Sequence, residues 1–404
     1  MVVNSWIEVS EERLAANFRT VADAAGAETE VLAVVKADAY GHGAEVCSVA
    51  LARAGARWLG VTCASEGVRV RRALGGAGFH LGGVRTDSQP VTEILVMCGF
   101  LPEDLATIAE HALTPVVWTA EQVEWLRGRP GMQVHVEVDT GMGRQGVSPG
   151  AALEHLLDAM GEAGIVLDGV FTHFCAAELA HSELTQMQQR RFEGAIAQVR
   201  ARSQSGGLTP GWLHAGSSST VDNPAQNWPW LVELAKSVGA RAMVRSGIAL
   251  YGYCLPIEGP DASAVQPKLR PALKPVMQWK TRVLDVRELT AGDTVGYNAT
   301  FTATGRMRLA MLPVGYADGL RRELSSANAR PGGWVVVRGR DGVDRQAPIV
   351  GRISMNLTMV DVTGIEGVRV GDEVILLGDG VTADDHARLA GTISYEILCG
   401  VRVG

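Results

Sequence analysis

The chain has 404 residues, of which 47% are hydrophobic and 20% charged, and its formal net charge is -7. This composition is typical of a soluble globular protein of about two domains. The negative charge argues against nucleic acid or an anionic membrane as partner, and no apolar run reaches the ~20 residues that span a bilayer. We expect a cytoplasmic protein without a secretory signal. Its six cysteines lack metal-ligand spacing, which predicts free thiols and no metal site.

Short apolar runs alternate with amphipathic stretches in the first part of the chain. Eight runs resemble buried strands: Val31–Lys36, Trp58–Thr62, Ile94–Met97, Thr114–Trp118, Val134–Val138, Leu167–Phe171, Gly211–His214 and Ala242–Arg245. Four stretches between them have a helical pattern: Glu11–Ala25, Ala120–Arg127, Pro149–Ala163 and Ser182–Arg202. This alternation predicts a parallel (β/α)8 barrel of the TIM type. The Gly-rich segment Leu74–Pro90 is interpreted as a loop or an insertion.

The pattern changes after Tyr253. Residues 254–275 have the composition of a linker. The β-prone runs that follow are separated by Gly-Asp, Gly-Gly and Asp-Gly turns: Val276–Val286, Met307–Pro313, Gly333–Val337, Ile349–Val350, Leu357–Asp361 and Glu373–Leu377, with a short helix at Ala383–Leu389. The sequence therefore predicts an α/β protein with a barrel domain at residues 1–253 and a mostly antiparallel β-domain at residues 254–404.

A lysine ends the first predicted barrel strand, in the run VVKADAYGHG. At the carboxyl end of a barrel strand, Lys36 would point into the mouth where active sites form. An isolated lysine there is more often a side chain whose ammonium reaches solvent. A desolvated lysine instead has a lowered pKa and can form a Schiff base with an aldehyde cofactor. The lysine alone does not decide between the two.

A second polar run, VHVEVDTGMGRQG, occupies residues 134–146. Alternation places His135, Glu137 and Asp139 on one face of the strand and the intervening valines on the other. The glycines permit a tight turn from which Arg144 can reach inward.

Further polar motifs follow other predicted strands. In the barrel they are Thr172–Phe174, His214–Ser218 and Val244–Gly252; in the second domain they are Val295–Thr300, Pro313–Gly319, Val350–Asn356 and Thr392–Tyr395. Singly, a histidine in such a place is more often a core residue, and a tyrosine more often a half-buried sheet aromatic. Their order and separation are what make them informative.

Together, VVKADAYGHG, DTGMGR and these motifs resemble the alanine racemase family over nearly the whole chain. The resemblance implies a pyridoxal 5'-phosphate (PLP) enzyme that interconverts L- and D-alanine, a small amino acid substrate, and a homodimer with shared active sites. Lys36 and Tyr297 of the partner subunit would be the two catalytic bases, assisted by His173 and Arg245. The implied cofactor-binding residues are Lys36, Tyr40, Arg144, His214, Ser218, Arg245, Gly247, Ile248 and Tyr395. The implied substrate-binding residues are Arg144, Tyr316 and Met355.

Four residues depart from the family pattern. Glu137 stands where many members have a carbamylated lysine, and we predict that it replaces that anion as the partner of Arg144, directly or through a water. Gly216 and Ser217 change HAANS to HAGSS beside the expected phosphate site, and Asn356 replaces an aspartate. These changes leave open a racemase that prefers serine or a broader range of amino acids.

Two other function classes share part of this pattern. A decarboxylase of the same architecture would carry a Cys-centred motif in the β-domain, where this chain has GYNATF and RISMN. A non-catalytic PLP carrier would resemble the first domain alone. Both are less consistent with the sequence than a racemase.

Overall fold

The computed structural model describes residues 4–79, 92–204, 208–226, 228–260 and 265–403. Strand β1 is Ser5–Val9, and the next eight strands form a closed parallel barrel in which the last pairs with the first. These are β2–β9: Thr29–Val34, Trp58–Val61, Glu93–Val96, Thr114–Val117, Gln133–Glu137, Val166–Phe171, Trp212–His214 and Arg241–Ser246. Each predicted barrel strand overlaps one of them, and the predicted fold class is confirmed. Most residues of these strands are apolar and buried, as expected for a parallel sheet covered on both faces.

One helix precedes the first barrel strand, and further helices connect the barrel strands. They are α1–α10: Glu11–Ala25, Lys36–Gly41, Ala44–Arg53, Ala64–Gly76, Leu105–Glu110, Ala120–Trp125, Ala151–Ala163, Glu183–Gln204, Ser218–Asp222 and Pro229–Lys236. The predicted helix at Glu11–Ala25 matches α1, whose buried residues Leu14, Phe18 and Val21 recur at helical spacing. The segment predicted as a loop from Leu74 begins inside α4, and its part from residue 80 onward lies outside the described residues.

The later part of the chain is mostly antiparallel. Its strands are β10–β18: Met277–Arg282, Asp285–Leu289, Thr294–Val295, Phe301–Thr302, Met307–Leu312, Trp334–Arg338, Asp344–Pro348, Thr358–Asp361 and Glu373–Leu377. They form sheets in the orders β1-β10-β18-β15-β16, β11-β14-β17 and β12-β13. Two helices follow, α11 at Ala383–Ala390 and α12 at Ser394–Gly400.

The chain divides into two compact units. The barrel unit comprises Leu14–Ala39 and Gly43–Lys274, and the second unit holds the other described residues, among them Tyr40–His42. Strand β1 belongs to the second unit because it pairs with β10. Among the residues described, no helix is long and apolar enough to cross a membrane, and the cysteines are free thiols.

Candidate active site

Lys36 follows β2 at the carboxyl end of the barrel and opens helix α2. The four residues after it have φ between +53° and +55°, so this turn is left-handed. Each such residue costs about 1–2 kcal/mol when it carries a Cβ, and such strain persists only where the surrounding structure holds it. One support is Glu66, whose Oε1 accepts the backbone N–H of Ala37 at 3.0 Å. The turn therefore gives Lys36 a defined direction as it leaves the strand.

Gly41 closes the left-handed turn with φ of +80°. A Cβ at Gly41 would lie 2.5 Å from the carbonyl oxygen of Leu398, whereas a Cβ at Gly43, where φ is +91°, would meet no atom within 4 Å. We expect Gly41→Ala to lower the free energy of unfolding by at least about 2 kcal/mol and Gly43→Ala by about 1 kcal/mol, since only the first adds a backbone collision. Urea denaturation of the two variants measures the difference, and equal losses would contradict this packing.

Arg245 lies near the end of β9, and its guanidinium group lies between two imidazoles. Its Nη1 donates to Nδ1 of His214 at 3.2 Å, and its Nη2 donates to Nδ1 of His173 at 3.0 Å. The same Nη2 donates to the carbonyl of Thr172 at 2.9 Å. The guanidinium also lies over the ring of Phe171, 4.8 Å from its centroid. Because arginine only donates, both Nδ1 atoms accept, and each neutral ring carries its proton on Nε2.

Burial keeps the two histidines neutral. It lowers the pKa of His173 to about 3, and three nearby cations contribute to that decrease: Arg245, Arg144 and Lys36. Burial likewise lowers the pKa of His214 well below its usual value. The pKa of Arg245 falls to about 10 for the same reason, so its guanidinium stays charged at neutral pH. The centre of the site is therefore one fixed cation between two neutral imidazoles.

Glu137 ends β6 with a buried side chain, and burial raises the pKa of its carboxyl group. The side-chain amide of Gln145 donates to this carboxylate and, at 2.9 Å, to the carbonyl of Met97. The predicted direct contact with Arg144 is not present: in the part of the chain that the structure describes, no hydrogen bond or ion pair joins the two. Arg144 is exposed and affects Glu137 only through its charge. The glutamate side chain is shorter than a carbamylated lysine. Its carboxylate accepts a hydrogen bond from Gln145 instead of contacting Arg144.

Asp139 organises the glycine-rich turn that carries Arg144. Its Oδ1 accepts the backbone N–H groups of Gly141, Met142 and Gly143 at 2.9, 2.9 and 3.1 Å. The carboxylate therefore shapes the turn, and Arg144 follows it with an exposed side chain.

The carboxyl ends of β8 and β9 contribute a cluster of hydrogen-bond donors. Oγ of Ser218 accepts the backbone N–H of Gly247 at 3.1 Å and of Ala249 at 3.2 Å, and lies 3.1 Å from Oγ of Ser246. A short 3-10 turn begins at Ile248. Hydroxyl groups and the N–H groups at the start of a helical turn are the donors that bind phosphate. Because the N–H groups of Gly247 and Ala249 are paired with Ser218 in this structure, a phosphate group would be bound here by the Ser218 hydroxyl and by the start of the 3-10 turn at Ile248.

The second unit holds the remaining predicted site residues. Three of them have exposed side chains: Tyr297 (65%), Tyr316 (44%) and Met355 (55%). The ring of Tyr395 lies 5.8 Å from that of Tyr40, and burial raises the pKa of Tyr40. The structure thus brings Tyr40 and Tyr395 together and leaves three predicted contact residues at the surface of the chain.

Two polar residues that contact the predicted site residues were not identified from the sequence. Gln145 contacts Glu137, but it follows a turn whose path the sequence pattern does not specify. Asp168 contacts His135 at 3.1 Å, and its position inside an apolar strand is a signal that could have identified it, because a charge there requires a partner.

Comparison with known proteins gives a consistent result. One family model, for the alanine racemase N-terminal domain, matches residues 9–255, and another, for the alanine racemase C-terminal domain, matches residues 276–403. An alanine racemase of Symbiobacterium thermophilum is 35% identical over 417 residues, covering 98% of this chain and 94% of that protein. One of Halothermothrix orenii is 33% identical over 409 residues, with the same two coverages.

Solved structures of similar proteins agree with these matches. The alanine racemase of Streptomyces coelicolor has a TM-score of 0.78 at 29% identity and covers 99% of this chain and 96% of its own. The alanine racemase of Bartonella henselae, which carries covalently bound pyridoxal phosphate, has a TM-score of 0.76 at 25% identity and covers 99% and 97%.

Proposed function

Because the chain belongs to the alanine racemase family, we propose that the barrel mouth built around Lys36 and Arg245 carries out the PLP-dependent racemisation of alanine. The observation that carries the proposal is the fixed cation Arg245 between two neutral imidazoles, with Lys36 close enough for its charge to affect one of them. The substrate is a small amino acid. We propose a barrel domain at residues 1–253 and a β-domain at residues 254–404, which agrees with the matched ranges 9–255 and 276–403. The compact units differ from this division because β1 belongs to the second unit and the described residues of 254–274 belong to the barrel unit.

The residues present fit PLP. No described carboxylate forms an ion pair with Lys36, so its amine is available for the cofactor aldehyde. We assign the remaining contacts by group: phosphate to Tyr40, Ser218, Gly247, Ile248 and Tyr395; ring oxygen to Arg144; ring nitrogen to Arg245, supported by His214. When bound, PLP supplies an electron-withdrawing ring that stabilises negative charge at the substrate Cα.

Arg245 limits what the site can do with that charge. An arginine donates a hydrogen bond to a ring nitrogen but does not give up its proton. Negative charge at Cα is therefore stabilised less than it would be by an acidic partner. A short-lived charge favours return of a proton to Cα over competing reactions.

Two bases then act on opposite faces of the Cα. We assign Lys36 to the proton of the D-enantiomer and Tyr297 of the partner subunit to that of the L-enantiomer. A tyrosine has an ordinary pKa of about 10 and needs nearby positive charge to act near neutrality. Arg245 would supply that charge through the neutral His173, whose Nδ1 accepts from Arg245 and whose Nε2–H would donate to the phenol. Tyr316 and Met355 would contact the substrate.

The exposure of Tyr297, Tyr316 and Met355 supports a homodimer with shared active sites. Predicted catalytic and substrate contacts that face solvent in one chain are explained if a second chain covers them. We also propose a cytoplasmic location, which agrees with the free thiols.

The comparisons favour alanine over serine as the substrate, since the similar proteins are named alanine racemases. A match to both domain models also leaves the decarboxylase and carrier hypotheses without support. The proposal is tested by loading the protein with PLP and following the optical rotation of L- and D-alanine separately. Both rotations should decay to zero. A stable rotation with cofactor bound would refute the proposal.

Glu137→Gln tests the buried anion of the site. Because the carboxyl pKa is raised in the folded state, the folded protein binds a proton more readily than the unfolded chain, and stability falls as pH rises above the usual carboxyl value of about 4.3. We expect the variant to be more stable than wild type at pH 7, with a gap that closes in acid. We expect kcat to fall by about tenfold or more, because the charge that offsets Arg245 is lost.

Glu30→Gln is the matched control, because burial also raises the pKa of Glu30, which lies near the start of the barrel's first strand, away from the carboxyl end. It should gain stability at neutral pH without losing kcat. Equal kcat losses in both variants, or none in Glu137→Gln, would contradict the role of Glu137.

A further inference from the structure

A chain of hydrogen bonds runs through the interior of the barrel and ends at Arg245. Oδ2 of Asp168 lies 3.1 Å from Nε2 of His135. Nδ1 of His135 lies 2.8 Å from Nε2 of His214, and Nδ1 of His214 lies 3.2 Å from Nη1 of Arg245. Both imidazoles are fully buried, and the Asp168 side chain is 17% exposed.

The protons in this chain can be arranged in only one direction. Arg245 only donates, so Nδ1 of His214 accepts and its Nε2 carries the hydrogen. That hydrogen points to Nδ1 of His135, which must accept, so the proton of His135 lies on Nε2 and is donated to Asp168. An ionised carboxylate only accepts hydrogen bonds, so each of the three hydrogen bonds has one donor and one acceptor.

Local backbone features create the space for this arrangement. In the pairing of β6 with β7, Val134 opposes Leu167 but His135 opposes Gly169, so Asp168 is an extra residue in a bulge. Bulges redirect side chains. A Cβ at Gly169 would lie 2.5 Å from Nδ1 of His135, so the glycine is what admits the imidazole.

Aromatic side chains line the two histidines. The ring of Trp58 lies 5.1 Å from that of His135, and the ring of Phe171 stacks 4.4 Å from that of His214. In such an apolar surrounding, a charge acts over a longer distance than in water, and consecutive hydrogen bonds strengthen one another.

We propose that Asp168 and His135 are positioning residues that fix the orientation of His214 and thereby that of the guanidinium of Arg245. Asp168 supplies the negative charge at the far end of this series of hydrogen bonds. The inference rests on the proposed function in one respect, the assignment of Arg245 to the cofactor ring nitrogen. Neither Asp168 nor His135 reaches the reacting atoms; their effect passes through His214.

Asp168→Asn separates charge from geometry, because the amide oxygen still accepts from His135 while the charge is gone. We expect thermal stability close to wild type, a KM for alanine within about twofold, and a kcat about tenfold lower, the size of effect seen when residues that orient metal ligands are changed. Asp168→Ala should lose more of kcat than Asp168→Asn. Glu30→Gln, which removes a carboxylate outside the hydrogen-bonded chain, should leave kcat unchanged.

A second readout needs no activity. In cofactor-free protein with 15N-labelled histidine, we expect the rings of His135 and His214 to be neutral and protonated on Nε2, with the His135 N–H signal moved by Asp168→Asn. Assignment uses His135→Gln. A wild-type His135 protonated on Nδ1, or wild-type kcat in both Asp168 variants of an active enzyme, would overturn the inference. An inactive wild type with the expected ring protonation would instead count against the proposed function alone and leave the hydrogen-bonded chain standing.

Discussion

Lys36→Ala should abolish racemisation and, with it, the visible absorbance that PLP acquires on covalent attachment to the protein. The amine of Lys36 serves both as the attachment point and as one of the two bases, so the loss should exceed the ~10⁴-fold upper range for a single general base. The cations Arg144 and Arg245, which act on His173 together with Lys36, cannot replace its amine because a guanidinium group remains protonated.

Two variants serve as controls for Lys36→Ala. Lys36→Arg keeps the positive charge but lacks a nucleophilic amine, so it should be equally inactive. Lys236→Ala removes an exposed lysine that pairs with Glu28 and should behave as wild type. A Lys36→Ala protein that retained both racemisation and the absorbance band would remove Lys36 from the mechanism.

Tyr297→Phe should produce the second large loss, about 10²–10⁴-fold in the rate of racemisation, because the substitution removes only the phenolic hydroxyl that acts as the second general base. The exchange of Cα–H for deuterium should then become one-sided. D-alanine should still exchange, because Lys36 removes and returns its proton on one face, whereas L-alanine should not. Equal exchange of both enantiomers would show that Tyr297 is not the second base. Tyr316→Phe, on a neighbouring motif, should retain exchange of both.

A mixture of the two inactive variants tests whether the site is shared between subunits. In a mixed dimer, the Lys36 of the Tyr297→Phe chain meets the Tyr297 of the Lys36→Ala chain and forms one intact site. An equimolar mixture that has exchanged subunits should recover about a quarter of wild-type activity, since half of the dimers are mixed and each has one intact site. No recovery in demonstrably mixed dimers would place both bases in the same chain.

The fold was accessible from the sequence because its strongest signals are local. A buried parallel strand such as Trp58–Val61 is apolar on both faces, so a short apolar run between turns is enough to indicate it. Helix α1 has an amphipathic repeat and was predicted to the residue. Strand β1 was different: it pairs with Met277–Arg282, and no local pattern indicates a partner so distant in the chain.

Parts of the candidate site were less accessible. Glu137 could be identified as a buried anion, but its contact with Gln145 depends on the three-dimensional path of the intervening turn. The left-handed turn after Lys36 contradicts the backbone preference of every residue in it except Gly41. Asp168 reaches His135 because of a bulge, and a one-residue shift of this kind changes which side chains face inward without leaving a periodic signal.

The account depends most directly on where Cα–H exchange occurs, which proton NMR in D₂O measures with PLP-loaded protein and a panel of L-amino acids. We predict selective loss of the Cα–H signal of alanine together with the formation of D-alanine. Exchange mainly in serine or larger amino acids would keep the mechanism and contradict the substrate. Absence of exchange in every amino acid, with cofactor bound, would contradict the racemase itself.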